Sequence, residues 1–344
     1  MNEPPGRRAT MKDVAGLARV SVATVSRVVN GEDVRSDLAA RVSDAIDVLG
    51  YRRDFTASTL RRADRHSASI GLVFEDVSNP FFSSVHRGIE DVARTHGTLT
   101  FAGSSDEDPD RERELVEAFG SRGVDGLVIV PCTNDHSYLQ RERRGGTALV
   151  FVDRPPRFID ADAVLTDNVG GARAGVEHLI AGGHRRIGFL GDRPAIFTAQ
   201  ERLRGYLAAL TAAGLAEDLE LVRLGLVDSD AAGAAAKELL LASDPPSAIF
   251  AGQNLITVGA VRALRELGRQ HEVAIVGFDD VVLGDIVDPG ISVVMQDPYA
   301  LGREAAKLLF AQVAGYRGEG RRIELPTRLV PRGSGELAPA ELAA

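Results

Sequence analysis

The stretch ATMKDVAGLARVSVATVSRVVNG, Ala9 to Gly31, sets two short apolar-patterned runs on either side of a tight centre, near the start of an acidic chain. Val14, Leu17 and Ala18 recur at helical spacing, and Val25, Val28 and Val29 repeat the pattern beyond Val20 and Ser21. The spacing predicts two helices of about ten residues each. Thr10 is placed to cap the first, with Asp13 three residues on as its reciprocal partner, and Ser21 to cap the second. Asn30 and Gly31 supply a left-handed exit. A third helix is expected over Asp37 to Leu49, with Leu38, Val42, Ala45, Ile46 and Leu49 on one face and Gly50 at its end.

Apolar spacing alone reads as a small helical bundle, and the polar residues take the reading further. Val22, Ala23, Thr24, Ser26 and Arg27 stand at the start of the second helix, where a recognition helix presents side chains to base edges. Arg27 suits guanine bidentately or a phosphate, Val22 and Ala23 suit thymine methyls, and the short hydroxyls of Thr24 and Ser26 suit phosphate oxygens. Charge distribution agrees. Residues 1–66 carry 12 Lys+Arg against 9 Asp+Glu, whereas the remainder carries 28 against 40. The local basic excess gathers at Arg52, Arg53, Arg61, Arg62 and Arg65, where phosphate neutralisation would dominate affinity for a nucleic acid.

Length and composition bound the rest. With 344 residues, 44% hydrophobic and 26% charged, the chain is long enough for two or three domains with sizeable cores. Its apolar runs are short of a membrane span, and Arg7, Arg8, Lys12 and Asp13 stand where a signal peptide would be apolar, so a cytoplasmic, membrane-free protein is expected. Cys132 is the single cysteine and reads as a packed thiol, since no base partner for a nucleophile lies near it in sequence.

From Ser69 the texture changes. SIGLVFE, FFSSVHRGIEDVARTHG, LTFAGS, a charged helix from Asp110 to Arg122 and GLVIV alternate strand and helix, and a second such series runs from about Asp167 to VAIVGF, residues 273–278. This order builds parallel sheets with right-handed crossovers, in which ligands bind beyond the carboxyl ends of the strands.

At this point the chain resembles the lac repressor and galactose repressor family of bacterial transcription regulators. DVAGLARVSVATVSRVVNG and AIDVLGY carry the helix-turn-helix part of the likeness; DVSNPFF, DEDPDRERELVEAF, GVDGLVIVP, DNVGGARAGVEHLIAGGHRRIGFLG, GFDD and LPTRLVPRGS carry the body. The resemblance implies an all-α helix-turn-helix domain followed by a two-lobed α/β domain like the periplasmic binding proteins, with two parallel sheets and three crossovers, here near Thr166, Val294 and Ile323. Residues 8–66 would form the DNA-binding domain, with helix-turn-helix 10–31, third helix 36–50 and a hinge helix 54–62. Residues 69–336 would bind effector and dimerise, with an N-lobe of about 69–166 and 295–322 and a C-lobe of about 167–294 and 323–336. Implied DNA contacts are Thr10, Val22, Ala23, Thr24, Ser26, Arg27, Asn30, Ala57 and Leu60, the leucine acting as a minor-groove wedge. Ser58 replaces an arginine common in the hinge, and Arg35 a serine cap, leaving Ser36 or Asp37 to cap the third helix.

Carried over position by position, the effector residues are Glu75, Phe81, Phe82, Asp153, Arg202, Gln253 and Asp279. Carboxylates and amides suit sugar hydroxyls, and Phe81 or Phe82 either covers a ring face or packs in the core. Three carboxylates against Arg202 favour a neutral sugar or polyol over a phosphorylated ligand. The resulting expectation is a homodimeric repressor on a near-palindromic double-stranded operator, switched by a small molecule between the lobes. The alternative is a corepressor-dependent regulator using a nucleobase or other small metabolite. No enzyme motif, catalytic residue, cofactor or metal is expected. His178 and His184 with Glu177 have no helix-face ligand spacing and read as surface or capping residues.

Overall fold

The computed structural model describes residues 9–29, 31–51 and 67–339. The chain divides into two compact units, Met1–Ser67 and Ala68–Ala344.

In the first unit, α1 (Met11–Ala18), α2 (Val22–Val29) and α3 (Ser36–Leu49) pack around Val14, Ala15, Ala18, Val25, Val42 and Ala45. Thr10 and Asp13 form the reciprocal cap of α1, and Ser21 Oγ accepts from the backbone N–H of Thr24 at 3.1 Å at the start of α2. Arg41 of α3 donates to the carbonyls of Ala18 and Arg19, so the end of the first helix is held from the third. Two expectations are corrected. Leu17 is 50% exposed, because at roughly 100° per residue it lies a quarter-turn from the face shared by Val14, Ala15 and Ala18. Neither Ser36 nor Asp37 caps α3; the N-cap position is Arg35, whose side chain makes no capping bond, and the Asp37 carboxylate instead accepts two hydrogen bonds from the Arg35 guanidinium.

The second unit is built from two six-stranded sheets. The N-lobe sheet runs β11-β5-β4-β3-β1-β2, all parallel: β1 (Ser69–Phe74), β2 (Leu99–Ser104), β3 (Gly126–Ile129), β4 (Ala148–Val152), β5 (Asp162–Thr166) and β11 (Arg322–Leu325). Helices α4 (Pro80–Thr95) and α11 (Pro298–Val313) cover one face; α5 (Pro109–Ser121) covers the other through Val116 and Phe119, joined by Leu139 just before the short α6 (Gln140–Arg144). Covered on both faces, β1, β3, β4 and β5 are buried throughout, which explains their unbroken apolar runs. At the crossing of α4 and α11, a Cβ on Gly88 would meet the Tyr299 carbonyl and one on Gly302 the Val85 carbonyl, so only glycine allows this approach.

The C-lobe sheet runs β12-β10-β9-β8-β6-β7, comprising β6 (Ile187–Leu190), β7 (Val222–Arg223), β8 (Ala248–Ala251), β9 (Ala274–Phe278), β10 (Ser292–Met295) and β12 (Arg328–Val330). Helices α7 (Asn168–Ala181) and α8 (Phe197–Ala212) form one layer with it, α9 (Ser229–Leu240) and α10 (Asn254–Glu266) the other. The sheet is not wholly parallel, since edge strand β12 runs antiparallel to β10. Three crossovers join the lobes, at Asp167, at Gln296–Asp297 and at Pro326–Thr327. The last falls later than Ile323, because Arg322–Leu325 completes a parallel ladder on β5 before the chain leaves the N-lobe.

Candidate nucleic-acid interface and ligand cleft

On α2, Val22, Ala23 and Arg27 are exposed and Thr24 and Ser26 partly so, while Val25 faces the core. The Arg27 side chain makes no hydrogen bond or ion pair with any described residue, so its guanidinium is available to a partner. Thr24 is less available, its hydroxyl lying 2.9 Å from that of Ser21. Thr10 is occupied by its capping role. Asn30, Ala57 and Leu60, and with them the expected hinge helix, fall outside the described residues.

In the second unit the polar residues gather at the carboxyl ends of the strands. Asp153 follows β4 and Asp279 follows β9, and both adopt the left-handed backbone, with φ of 69° and 71°. Each donates its N–H to the adjoining strand, Asp153 to Val164 at 3.0 Å and Asp279 to Val294 at 2.9 Å. The two lobes thus use one local device to aim an aspartate.

The surroundings then diverge. In the C-lobe, Arg202 of α8 donates from Nε to Asn168 at 2.8 Å and from a terminal nitrogen to the Gly252 carbonyl at 2.8 Å, lies 3.6 Å from Asp279, and stacks 3.9 Å from the centre of the Phe278 ring. Asp279 accepts from Gln296 at 2.5 Å. In the N-lobe, the buried Arg154 meets three carboxylates, Glu107 at 2.7 Å, Glu75 at 3.1 Å and Asp153 at 3.5 Å, and donates to the Pro131 carbonyl. Burial pushes the Asp153 carboxyl up, against the pull of Arg154 and Arg202. Burial pushes Asp279 up as well, with Arg202 and Gln296 opposing. Glu75 rises to about 8, from burial first, with Arg154 pulling it down and Glu107, Asp192 and Asp153 adding to the rise. Burial would lower Arg154, but Glu107, Asp153 and Glu75 outweigh it and hold the guanidinium charged.

Glu75, Asp153, Arg202 and Asp279 therefore converge, with Arg154 among them. Gln253 caps α10 through Leu255 N–H and reaches Asp192 at 3.3 Å. One residue along, Asn254 donates to Asn79 at 2.8 Å and ties the C-lobe to the N-lobe directly. Phe82 does not join the set: it is 4% exposed and stacks on Phe74 in the N-lobe core, with centroids 5.7 Å apart. Phe81 is half-buried, edge-on to Phe82, and packs against the same core.

The open cavity between the lobes, about 130 Å³, lies beside this network and is lined by residues the sequence reading passed over, among them Glu107, Arg154 and Arg157 of the N-lobe and Arg193 and Phe197 of the C-lobe. The charge balance built on Arg202 alone is thereby corrected, because three further guanidiniums stand at the cleft. Its N-lobe wall is preorganised. Glu112, fully buried, accepts from Cys132 N–H at 2.7 Å and from Tyr138 Oη at 2.5 Å. Buried His136 accepts the Arg157 N–H on Nδ1 at 2.8 Å, so Nε2 carries the proton and donates to the Thr133 carbonyl at 2.9 Å. Burial lowers His136, which favours this neutral form. Cys132 lines the cavity with its thiol pushed up by burial and by Glu112, the opposite of an activated nucleophile.

His184 is not at the surface as expected. It is buried between Ser247 and the Leu337 carbonyl, whereas His178 pairs with Glu336 at 2.5 Å. Among the described residues no group of three or more His, Cys, Asp or Glu side chains could hold a metal ion, and no helix is long and apolar enough to cross a membrane.

A helix-turn-helix unit and a two-lobed body with charged strand ends facing one cleft define a DNA-binding regulator that responds to a ligand. Comparison with known proteins agrees. The description "Bacterial regulatory proteins, lacI family" matches residues 10–54, and "Periplasmic binding protein-like domain" matches residues 176–335. The transcriptional repressor CytR of Escherichia coli K12 is 30% identical, over 96% of this chain and 97% of its own length. The solved complex of the regulator CelR with cellobiose is 31% identical with a TM-score of 0.70, covering 95% of this chain and 100% of that one. The lac repressor dimer bound to operator and the anti-inducer ONPF is 25% identical with a TM-score of 0.82, covering 96% and 100%. The chain belongs to the lacI family of bacterial regulatory proteins, and it is a DNA-binding transcriptional regulator.

Proposed function

We propose that this protein is a repressor that binds a near-palindromic operator as a homodimer in the cytoplasm, and that a sugar or polyol held between its lobes switches operator affinity, with no catalytic step. The observation that carries this reading is the buried network of Asp153, Arg154, Arg202 and Asp279, which spends charges from both lobes on one cleft. Burying these charges costs desolvation whether or not a ligand is bound, so their gathering at a cleft supports a functional use there. A ligand bridging the lobes would favour one lobe arrangement over another by its difference in affinity for the two, and so bias the DNA-binding units. The cellobiose named in the CelR complex and the dimer and operator named in the lac repressor complex support the ligand class and the assembly.

The effector residues we assign are Glu75, Asp153, Arg202, Gln253 and Asp279, joined by Arg154, with residues 8–66 as the DNA-binding domain and 69–336 as the effector domain. On DNA, Val22, Ala23 and Arg27 read bases, and Thr10, Thr24, Ser26, Asn30, Ala57 and Leu60 complete the contact set. The test is base-by-base competition with the full chain. Arg27→Ala should cost about 1–3 kcal/mol on the preferred operator and relax one base position. Equal loss on every operator variant would make Arg27 a phosphate contact and remove the readout assignment.

A further inference from the structure

The cavity between the lobes is more basic than a neutral sugar requires. Of the residues lining it, Glu107 is the one carboxylate, and it is already paired with Arg154 at 2.7 Å. Three guanidiniums line it, those of Arg154, Arg157 and Arg193. Arg157 and Arg193 come from opposite lobes, and neither side chain makes a hydrogen bond or ion pair with any described residue. Arg154 is 5% exposed, and its Nε–H has no hydrogen-bond acceptor, Asp153 standing off at 3.5 Å.

The C-lobe wall adds to this. Ile196 and Phe197, which begin the 16-residue helix α8, line the cavity, and no side chain caps that helix start. Its first N–H groups and the positive end of its dipole therefore face the same space as the arginines. Half-buried Phe197 offers an apolar face beside them. Unpaired guanidiniums from both lobes and an uncapped helix start on one cavity ask for one thing, an anion.

Resting on the reading of this cleft as the effector site, we propose that the effector carries a carboxylate or phosphate group, seated between Arg157, Arg193 and the start of α8, on a body whose hydroxyls reach the carboxylates beside the cavity. Because the two arginines belong to different lobes, the anion itself draws the lobes together. Arg157 is held for this role by the His136 bond to its backbone.

The test is calorimetry on the full chain with sugars matched except for charge: glucose, glucuronate and glucose 6-phosphate, and the galactose series, with inorganic phosphate as a fragment probe. Operator release is followed for each. Charged members should bind at least about tenfold tighter than their neutral partners. The uronate and phosphate arms decide which anion is preferred. Arg157→Gln and Arg193→Gln, checked for native circular dichroism, should each erase most of that preference, bringing the affinity for the charged sugar down to that for its neutral partner measured on the same variant. Neutral sugars that bind tightly and release operator, with both variants behaving as wild type, would overturn the anion site and leave the effector cleft standing. No binding by any member, with operator affinity unmoved, would overturn the cleft reading as well.

Discussion

The two lobes aim an aspartate in the same way and then neutralise it differently. After β9, Asp279 meets one arginine, brought from a helix of the same lobe and itself satisfied by Asn168 and Gly252, while the next residue, Asp280, turns away to Arg332. After β4, the next residue is the arginine itself, and Arg154 must serve Asp153, Glu75 and Glu107 together. The C-lobe site is balanced and the N-lobe site is over-acidic. The difference locates where a proton exerts most leverage, since carboxylates that share one cation respond steeply to protonation.

Arg154→Leu is the harshest way to break this contrast. It strands three carboxylates in a buried site and should cost about 3–5 kcal/mol, more than Arg202→Leu, which strands one. Urea denaturation of the full chain at two pH values separates the cases further. Acid should restore a larger share of the loss in Arg154→Leu, because protonation neutralises what the arginine no longer does. Equal losses and equal recovery in the two variants would mean the lobes are electrostatically alike.

A smaller effect sharpens the comparison. Glu75 holds its proton more tightly in the folded protein, with a pKa raised from 4.5 to about 8. Between those values the native state binds more protons than the unfolded chain, so this group's contribution is fully present below about pH 4.5 and is lost as pH rises through about 8. Glu75→Gln should flatten the fall in stability across that window. His136, lowered by burial, works in the other direction below its ordinary value of 6.5, where stability falls with falling pH. A pH–stability curve unchanged by Glu75→Gln would show that the proton sits elsewhere in the cluster.

Much of this was legible in the sequence, and for local reasons. The Thr10–Asp13 cap, Ser21 and the apolar stripes around Val14, Val25 and Val42 are short-range patterns, and they define the helix-turn-helix unit. Alternating strand and helix predicts the two-lobed body, and strand ends point to Asp153 and Asp279. What escaped depends on contacts between distant segments. Glu107 and Arg154 belong to the site because the turn between β2 and α5 and the turn after β4 bring them together, and their pairing has no periodic signature. The DRPPR run at 153–157 and GDRP at 191–194 do show arginines directly after strands, a signal that strand-end reasoning could have used. Phe81 and Phe82 stay open in sequence for the converse reason: two adjacent phenylalanines at a helix start do not reveal which one turns inward to Phe74. Leu17 shows the same limit within a single short helix.

On the proposed function, buried charges at the cleft control operator affinity through the ligand. Asp279→Asn tests this most directly, since it keeps the shape of the side chain and an acceptor for Gln296 while removing the charge that faces Arg202. Fluorescence anisotropy of labelled operator would be read with and without the effector found by calorimetry. The variant should bind operator as tightly as wild type in the absence of effector and fail to respond at concentrations that switch wild type. A variant that switches at the same effector concentration as wild type would contradict the claim.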